Sequence, residues 1–499
     1  CGRGTGAGGQ LHGPGWELYG LCVQGARVRK REINMEVYIC IKNFGKIKEA
    51  RVNISHFTVF VGNNNSGKTQ LMELIYAIVK HVSALGPDIV TPQIGDIDAF
   101  SIGDQEIRHL NEWVNEYLSR HIQKIIEDTF NAPIPIDEVS VEFLGNESSY
   151  EIYFLTDKTI EYLLAKGLIN QEELMEMLLN KERYYNALVL KKTAQNVENF
   201  KSSTGFSNSI PIETARKIET GAILSGIMGG DSPVSSNVLF LPASRMGLML
   251  LYKHYFGSAG RDKEEMIRDR NQNSKGITKP VLDFLSFLLK YSYTDRVAKQ
   301  NEALTDFIFQ HLIDGRISEK GEATVYTPND QNREIPIFVA SSMVNEVVPV
   351  VKALTDSDKI DFIFYDEVET SMHPLKQIEM VKLLNRLNNK GFRLIVSTHS
   401  DTMATKINNL LLLSHGELDF ESVKEELEKN KILIEQDDLL SSADIHVYQF
   451  VNDMQGKSIV EELEFKKVPC TGYDFSLFND STMNLFEEAK IAMRIDDEN

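Results

Sequence analysis

One loop narrows the fold more than any other feature of the chain. Gly62-Asn63-Asn64-Asn65-Ser66-Gly67-Lys68-Thr69 fits G-x-x-x-x-G-K-[ST]. It sits between an apolar run, Phe57-Thr58-Val59-Phe60-Val61, and a segment where Leu71, Leu74, Ile75 and Ile78 recur at helical spacing. Strand, glycine loop, helix is the context in which the pattern has mechanical meaning. The glycines let backbone N–H groups curl around a phosphate, and the helix N-terminus adds partial positive charge at the same point. Lys68 then reaches the β- and γ-phosphates and the Thr69 hydroxyl holds Mg2+, so ATP with Mg2+ is the expected ligand. An ordinary glycine turn ahead of a helix is the alternative.

Composition removes several classes. With 499 residues, 42% hydrophobic and 25% charged, the chain is long enough for two or more cores and is neither disordered nor fibrous. A net charge of -19 opposes indiscriminate coating of nucleic acid, because phosphate binding depends on Lys and Arg releasing counterions. A local basic patch stays open, so direct nucleic-acid contact is left undecided. Four cysteines, Cys1, Cys22, Cys40 and Cys470, are scattered without zinc or disulfide spacing, which points to a reducing, cytoplasmic setting. No run of about eighteen apolar residues is present, so no membrane span is expected.

Along the chain, residues 1–34 start glycine-rich, end on Arg27, Arg29, Lys30 and Arg31, and lack the apolar core of a secretory signal. They are expected to be a non-native or disordered extension, with Met35 as the natural start; a basic arm gripping nucleic acid is the alternative. Residues 35–85 open an ATPase lobe as strand, turn at Asn43-Phe44-Gly45, strand, phosphate loop and helix. Residues 86–236 break that rhythm with a long helix bearing Ile107, Leu110, Val114, Leu118, Ile122 and Ile125, a hairpin around Gly145-Asn146, and helices near Glu172 to Ala187 and Ile212 to Ile223. This segment reads as a mainly helical insertion, with no heptad seam long enough for a coiled-coil arm. Residues 237–414 return to α/β, interrupted by a polar loop over 257–275, and residues 415–499 form a small α/β extension. Leu410 to Leu413 reads as one more strand.

The second half of the expected site lies in 237–414. Asp366 ends the apolar run Ile360-Asp361-Phe362-Ile363-Phe364-Tyr365, where a carboxylate meets Mg2+ at the end of a buried strand. Glu367, one residue on, is placed to orient and deprotonate the attacking water. Acids leading into a helix N-terminus are the plainer alternative. His399 follows another apolar strand in Ser397-Thr398-His399-Ser400, where a γ-phosphate sensor belongs, although a strand-end histidine is also often structural.

Taken together, the loop at Gly62 to Thr69, the Asp366-Glu367 pair with Glu369 and His373-Pro374 beyond it, and Ser397 to Ser400 resemble the ABC-type ATPases of the SMC/RecF/overcoming-lysogenization-defect class. The resemblance covers Met35 to about Ser414 without the insertion. It implies an α/β P-loop NTPase of ABC-ATPase type, a mixed central sheet flanked by helices with a large mainly helical insertion. It also implies that a second subunit caps the γ-phosphate, here through Ser341 and Ser342 of Ala340-Ser341-Ser342-Met343, where the class usually carries glycine in place of Met343. Pro242-Ala243-Ser244-Arg245 resembles the Pro-Ala-x-Arg segment of the defence-associated branch, with Arg245 as a phosphate or partner contact or, more plainly, a surface ion pair.

Neither the Toprim acids of a full overcoming-lysogenization-defect nuclease nor the Leu-Ser-Gly-Gly-Gln signature of a transporter subunit is found. The chain is therefore similar to stand-alone ATPases of anti-phage systems such as PARIS, Septu and retron-linked systems. That resemblance implies an ATP-hydrolysing switch that forms homo-oligomers with ATP, controls a separate effector, a nuclease, and answers a phage-encoded trigger. A RecF-like repair ATPase that binds DNA directly, and an ATP-binding scaffold that barely hydrolyses, are the alternatives.

Overall fold

The apolar run before the glycine loop forms a strand, β3 (Phe57–Gly62), buried along its whole length. Its side chains alternate between two cores: Phe57, Val59 and Val61 face one, and Phe60 faces the other. β13 (Ile360–Tyr365) divides likewise, Ile363 and Tyr365 on one side, Phe362 and Phe364 on the other, as does β14 (Arg393–Thr398). Strands buried on both faces are the mark of a sheet sandwiched between helical layers. Each fully buried Leu, Ile or Phe contributes roughly 1.5–3 kcal/mol.

The computed structural model describes residues 35–491 apart from 56, 145–148, 172–186, 193–196, 203–211, 230–236, 244, 257–275, 322, 332, 359, 416–419, 441–444, 467–471, 476–483 and 485. The central sheet has nine strands in the order β5-β1-β2-β16-β15-β3-β14-β13-β9. Here β1 is Glu36–Phe44, β2 Ile47–Asn53, β5 Glu138–Leu144, β9 Asn237–Leu241, β15 Ile445–Asn452 and β16 Ser458–Glu462. From β15 through β3, β14 and β13 to β9 every neighbour is parallel. The β5-β1-β2 edge is antiparallel, and β16 runs antiparallel to β15 but parallel to β2. This is the α/β architecture expected from the sequence, a mixed sheet flanked by helices.

A second sheet of four antiparallel strands, β4 (Ala99–Ile102), β6 (Ser149–Phe154), β7 (Ala187–Lys192) and β8 (Val197–Ser202), has its own small core around Tyr153, Leu163 and Leu188. A third combines β10 (Gly315–Lys320), β11 (Ala323–Pro328) and β12 (Ile335–Pro336).

The structure departs from the sequence expectation in several places. Segment 86–236 is helical over Asp104–Phe130, Asp157–Ala165 and Ile212–Gly229, yet it also carries β4 to β8. One of these, β5, joins the central sheet beside β1, so the segment is not set apart from the nucleotide core. β5 and β6 form no hairpin, since β5 pairs with β1 while β6 pairs with β4 and β7. Residues 415–499 are more than an extension: β15 and β16 lie inside the central sheet, between β3 and β2. Leu410 to Leu413 belongs to the helix Asp401–His415, because four consecutive leucines carry no period and the helix is what buries Leu410 and Leu411. The helix expected before Ala187, the polar loop over 257–275 and residues 1–34 lie outside the described residues.

Candidate active site

Three parallel strand ends build the site. β3 delivers the glycine loop, β13 delivers Asp366 and Glu367, and β14 delivers His399, as the register Val61 to Thr398 and Tyr365 to Val396 requires. Gly62 has φ 153, and a Cβ there would stand 2.9 Å from the Cβ of Phe450 in β15. Gly67 caps the helix Lys68–Ser83 with φ 94, a left-handed position suited to glycine, and a Cβ there would meet Ile47 at 3.0 Å. The first turn of that helix carries no acid, which leaves its positive end free for an anion. Beneath the loop, Ser458 of β16 donates its hydroxyl to the Ser66 carbonyl at 2.7 Å. Lys46 donates to the Asn65 carbonyl at 2.9 Å.

Lys68 is buried and folds back along the loop, donating to the carbonyls of Gly62 and Asn63, each at 2.9 Å. Burial pushes its ammonium down to about 8, against the pull of Asp366, Glu367 and Glu369. Thr69 donates to one oxygen of Asp366 at 2.8 Å, and Ser397 donates to the other at 2.5 Å. Both Asp366 oxygens thus accept from hydroxyl groups. This hydroxyl–carboxylate pair fits a magnesium ion, which takes few protein ligands and fills its shell with phosphate and water oxygens. Among the described residues no cluster of three or more His, Cys, Asp or Glu forms a dedicated metal cage.

Glu367 stands on a left-handed backbone with φ 45, a conformation that costs a non-glycine residue roughly 1–2 kcal/mol. Its N–H donates to the Ser397 hydroxyl at 2.8 Å, and its carbonyl accepts from the Thr370 hydroxyl at 2.8 Å. The Glu367 side chain is 41% exposed and lies 3.7 Å from Nε2 of His399. His399 Nδ1 is 2.8 Å from the Gly62 carbonyl, a contact in which Nδ1 donates, and 3.3 Å from Lys68 Nζ. Its backbone N–H donates to Glu369 at 2.5 Å.

Of the residues singled out from the sequence, Lys68, Thr69, Asp366, Glu367 and His399 are thus brought together with the loop. Ser341 and Ser342 are exposed elsewhere: Ser341 caps the helix Ser342–Thr355 by accepting from the Val344 N–H at 3.4 Å, and Asn345 ties the preceding carbonyls. Met343 packs against the core, which is why a larger residue than glycine is accommodated there.

Arg245 is a correction. It is fully buried, with Nε 2.7 Å from a carboxylate oxygen of Glu346, so it is neither a phosphate contact nor a surface ion pair. Burial pushes the Glu346 carboxyl up, countered by Arg245 and by the Met246 N–H. Sequence reasoning also missed Ser458 and the Ser397 hydroxyl; a serine at a strand end carries no signal until its neighbours are known.

A family model described as an AAA ATPase domain matches residues 35–224 and 250–404. The chain belongs to the AAA ATPase domain family. The fold is that of a P-loop NTPase of ABC type. Similar solved structures include a SmcHead bound to the C-winged helix domain of ScpA, with 12% identity, 87% of this chain and 98% of that one covered, and a TM-score of 0.34. A Smc head domain with an extended coiled coil bound to the C-terminal domain of ScpA, from Pyrococcus furiosus, gives 11%, 91%, 100% and 0.33. The SMC head domain from Thermotoga maritima gives 11%, 87%, 100% and 0.30. At these TM-scores the fold assignment stands on the sheet order and the family match. No curated protein matches the chain.

Proposed function

We propose that this chain is an ATP-hydrolysing switch that assembles with copies of itself around ATP and controls a separate effector, a nuclease, in bacterial anti-phage defence. The observation that carries the enzymatic part is the 2.8 Å contact between Thr69 and Asp366, which joins the loop to the strand-end acids across 297 residues of sequence. In this reading Lys68 and the loop N–H groups of Asn63 to Gly67 bind the phosphates, and Thr69 with Asp366 holds Mg2+. Magnesium, when bound, neutralises phosphate charge. Glu367 accepts the proton of the attacking water while His399 contacts the γ-phosphate, and Ser341 and Ser342 of a second copy cap it. ATP can drive such assembly only by as much as it favours the assembled state.

The defence setting is supported by the Pro242-Ala243-Ser244-Arg245 resemblance; the trigger, the effector and a cytoplasmic location belong to the same proposal. Glu367→Gln tests the enzymatic part. It should retain ATP and remain assembled in size-exclusion chromatography with light scattering, with turnover reduced by about 100-fold or more. Turnover equal to wild type removes Glu367 from its role. Plating phage on cells carrying the chain with its neighbouring reading frames, against Lys68→Ala, tests the setting, and equal plaque counts reject it.

A further inference from the structure

The guanidinium of Arg245 is spent on backbone. It donates to the carbonyl of Pro242 at 3.1 Å, to that of Asp366 at 2.8 Å and to that of Glu367 at 3.2 Å. Its Nε–H is directed at the Glu346 carbonyl at 3.4 Å, beside the Glu346 carboxylate, and its flat face lies 4.5 Å from the ring centre of Tyr365. A rigid fork of donors suits this task, because it fixes the separation of two consecutive carbonyls; a lysine offers one flexible ammonium. The two carbonyls belong to the metal-site acid and the candidate general base.

Glu367 needs such a hold. A left-handed glutamate persists only where its surroundings over-determine it. Ser397 fixes its N–H from β14 and Thr370 its carbonyl from three residues ahead. Arg245 braces the same peptide from the side of β9 and the helix Ser342–Thr355. Glu346, its counterion, is one turn beyond Ser341 and Ser342.

We propose that Arg245 is the positioning residue for Glu367, bracing its peptide so that the carboxylate faces the attacking water, with Glu346 anchoring that brace to the helix that begins at Ser341 and Ser342. The proposal rests on the ATPase reading above.

Arg245→Lys keeps a charge opposite Glu346 and removes the fork. Expected are ATP affinity within about threefold of wild type and kcat lower by about tenfold or more, since the phosphate-binding groups are untouched. Single-turnover cleavage of radiolabelled ATP should show little further loss when Arg245→Lys is added to Glu367→Gln, because residues acting as a unit are not additive. If Arg245→Lys does not fold, Glu346→Gln carries the test with the same split between affinity and turnover. Unaltered turnover in a folded variant overturns the proposal, as does a loss confined to ATP affinity, or a loss that multiplies with that of Glu367→Gln. Wild-type turnover in the same assay separates the failures: without it the ATPase reading falls and this inference with it, whereas normal turnover in wild type and variant alike removes this inference alone.

Discussion

Single side chains set how the site answers pH. The Lys68 ammonium, pushed down to about 8 by burial, must be charged to meet a phosphate. As pH rises past that value the free protein loses the proton, each ATP bound must restore it, and affinity falls by up to about tenfold per pH unit. Equilibrium binding from about pH 7 to about pH 9 reads this directly, with Lys68→Arg as the flat control expected of a group that stays charged. Glu73 works through stability. Buried one turn beyond Thr69, its carboxyl accepts from Thr278 at 2.6 Å, and burial pushes it up to about 7. Between an unfolded value of about 4.3 and that folded value the folded chain binds the extra proton, so stability falls as pH rises through this window. Glu73→Gln keeps the Thr278 bond and removes the charge. Its melting temperature at about pH 8 should exceed wild type by the equivalent of about 1–3 kcal/mol, with a much smaller gain near pH 5. Equal gains at both values would show that Glu73 carries no proton in the fold.

Elements explain which parts of this arrangement were legible in the sequence. The phosphate loop and the Asp366-Glu367 and His399 strand ends were legible because they depend on short spacings and on fully apolar runs beside them. The partners of those strands were not. β15 sits against β3 although some four hundred residues separate them, and nothing local in Ile445–Asn452 states which strand it will join. The same limit hid Ser458 beneath Ser66. Ser458→Ala should lower stability by about 1 kcal/mol and weaken ATP binding through the loop, measured by denaturant melts and binding isotherms. Arg245 shows the converse: its motif was visible, but whether its side chain turned outward or inward depended on Glu346, a hundred positions away. Removing residues 100–225 of the insertion would strip β5 from the sheet edge, and the helix Asp104–Phe130 and most of the helix Ile212–Gly229 from beside the phosphate-loop helix. We expect that deletion to be insoluble or molten by near-ultraviolet circular dichroism.

For the chain as a whole, the sheet order makes the two ends interdependent. β1 and β2 come from the start and β15 and β16 from the close, and β16 pairs with β2 while β15 pairs with β3. Without these two strands, β2 loses β16 and β3 loses β15, and both expose unpaired backbone along the line where the glycine loop begins. The Tyr448 hydroxyl joins the two ends, accepting from the Asn53 N–H at 2.9 Å and donating to Glu462 of β16 at 3.2 Å, and Phe450 packs edge-on to Phe60 at 5.3 Å beneath the loop. A chain ending after His415 keeps every residue proposed to touch ATP, so a reading of function from motifs alone predicts that it binds nucleotide normally. The sheet predicts the opposite. Losing several buried aromatic and aliphatic side chains at roughly 1.5–3 kcal/mol each exceeds the 5–15 kcal/mol by which a domain is stable, so the truncated chain should show no cooperative melt and no saturable ATP binding. Cooperative unfolding with unchanged affinity would mean that the phosphate loop is supported by β14 and its own helix, and that β15 and β16 are a cover rather than part of the foundation.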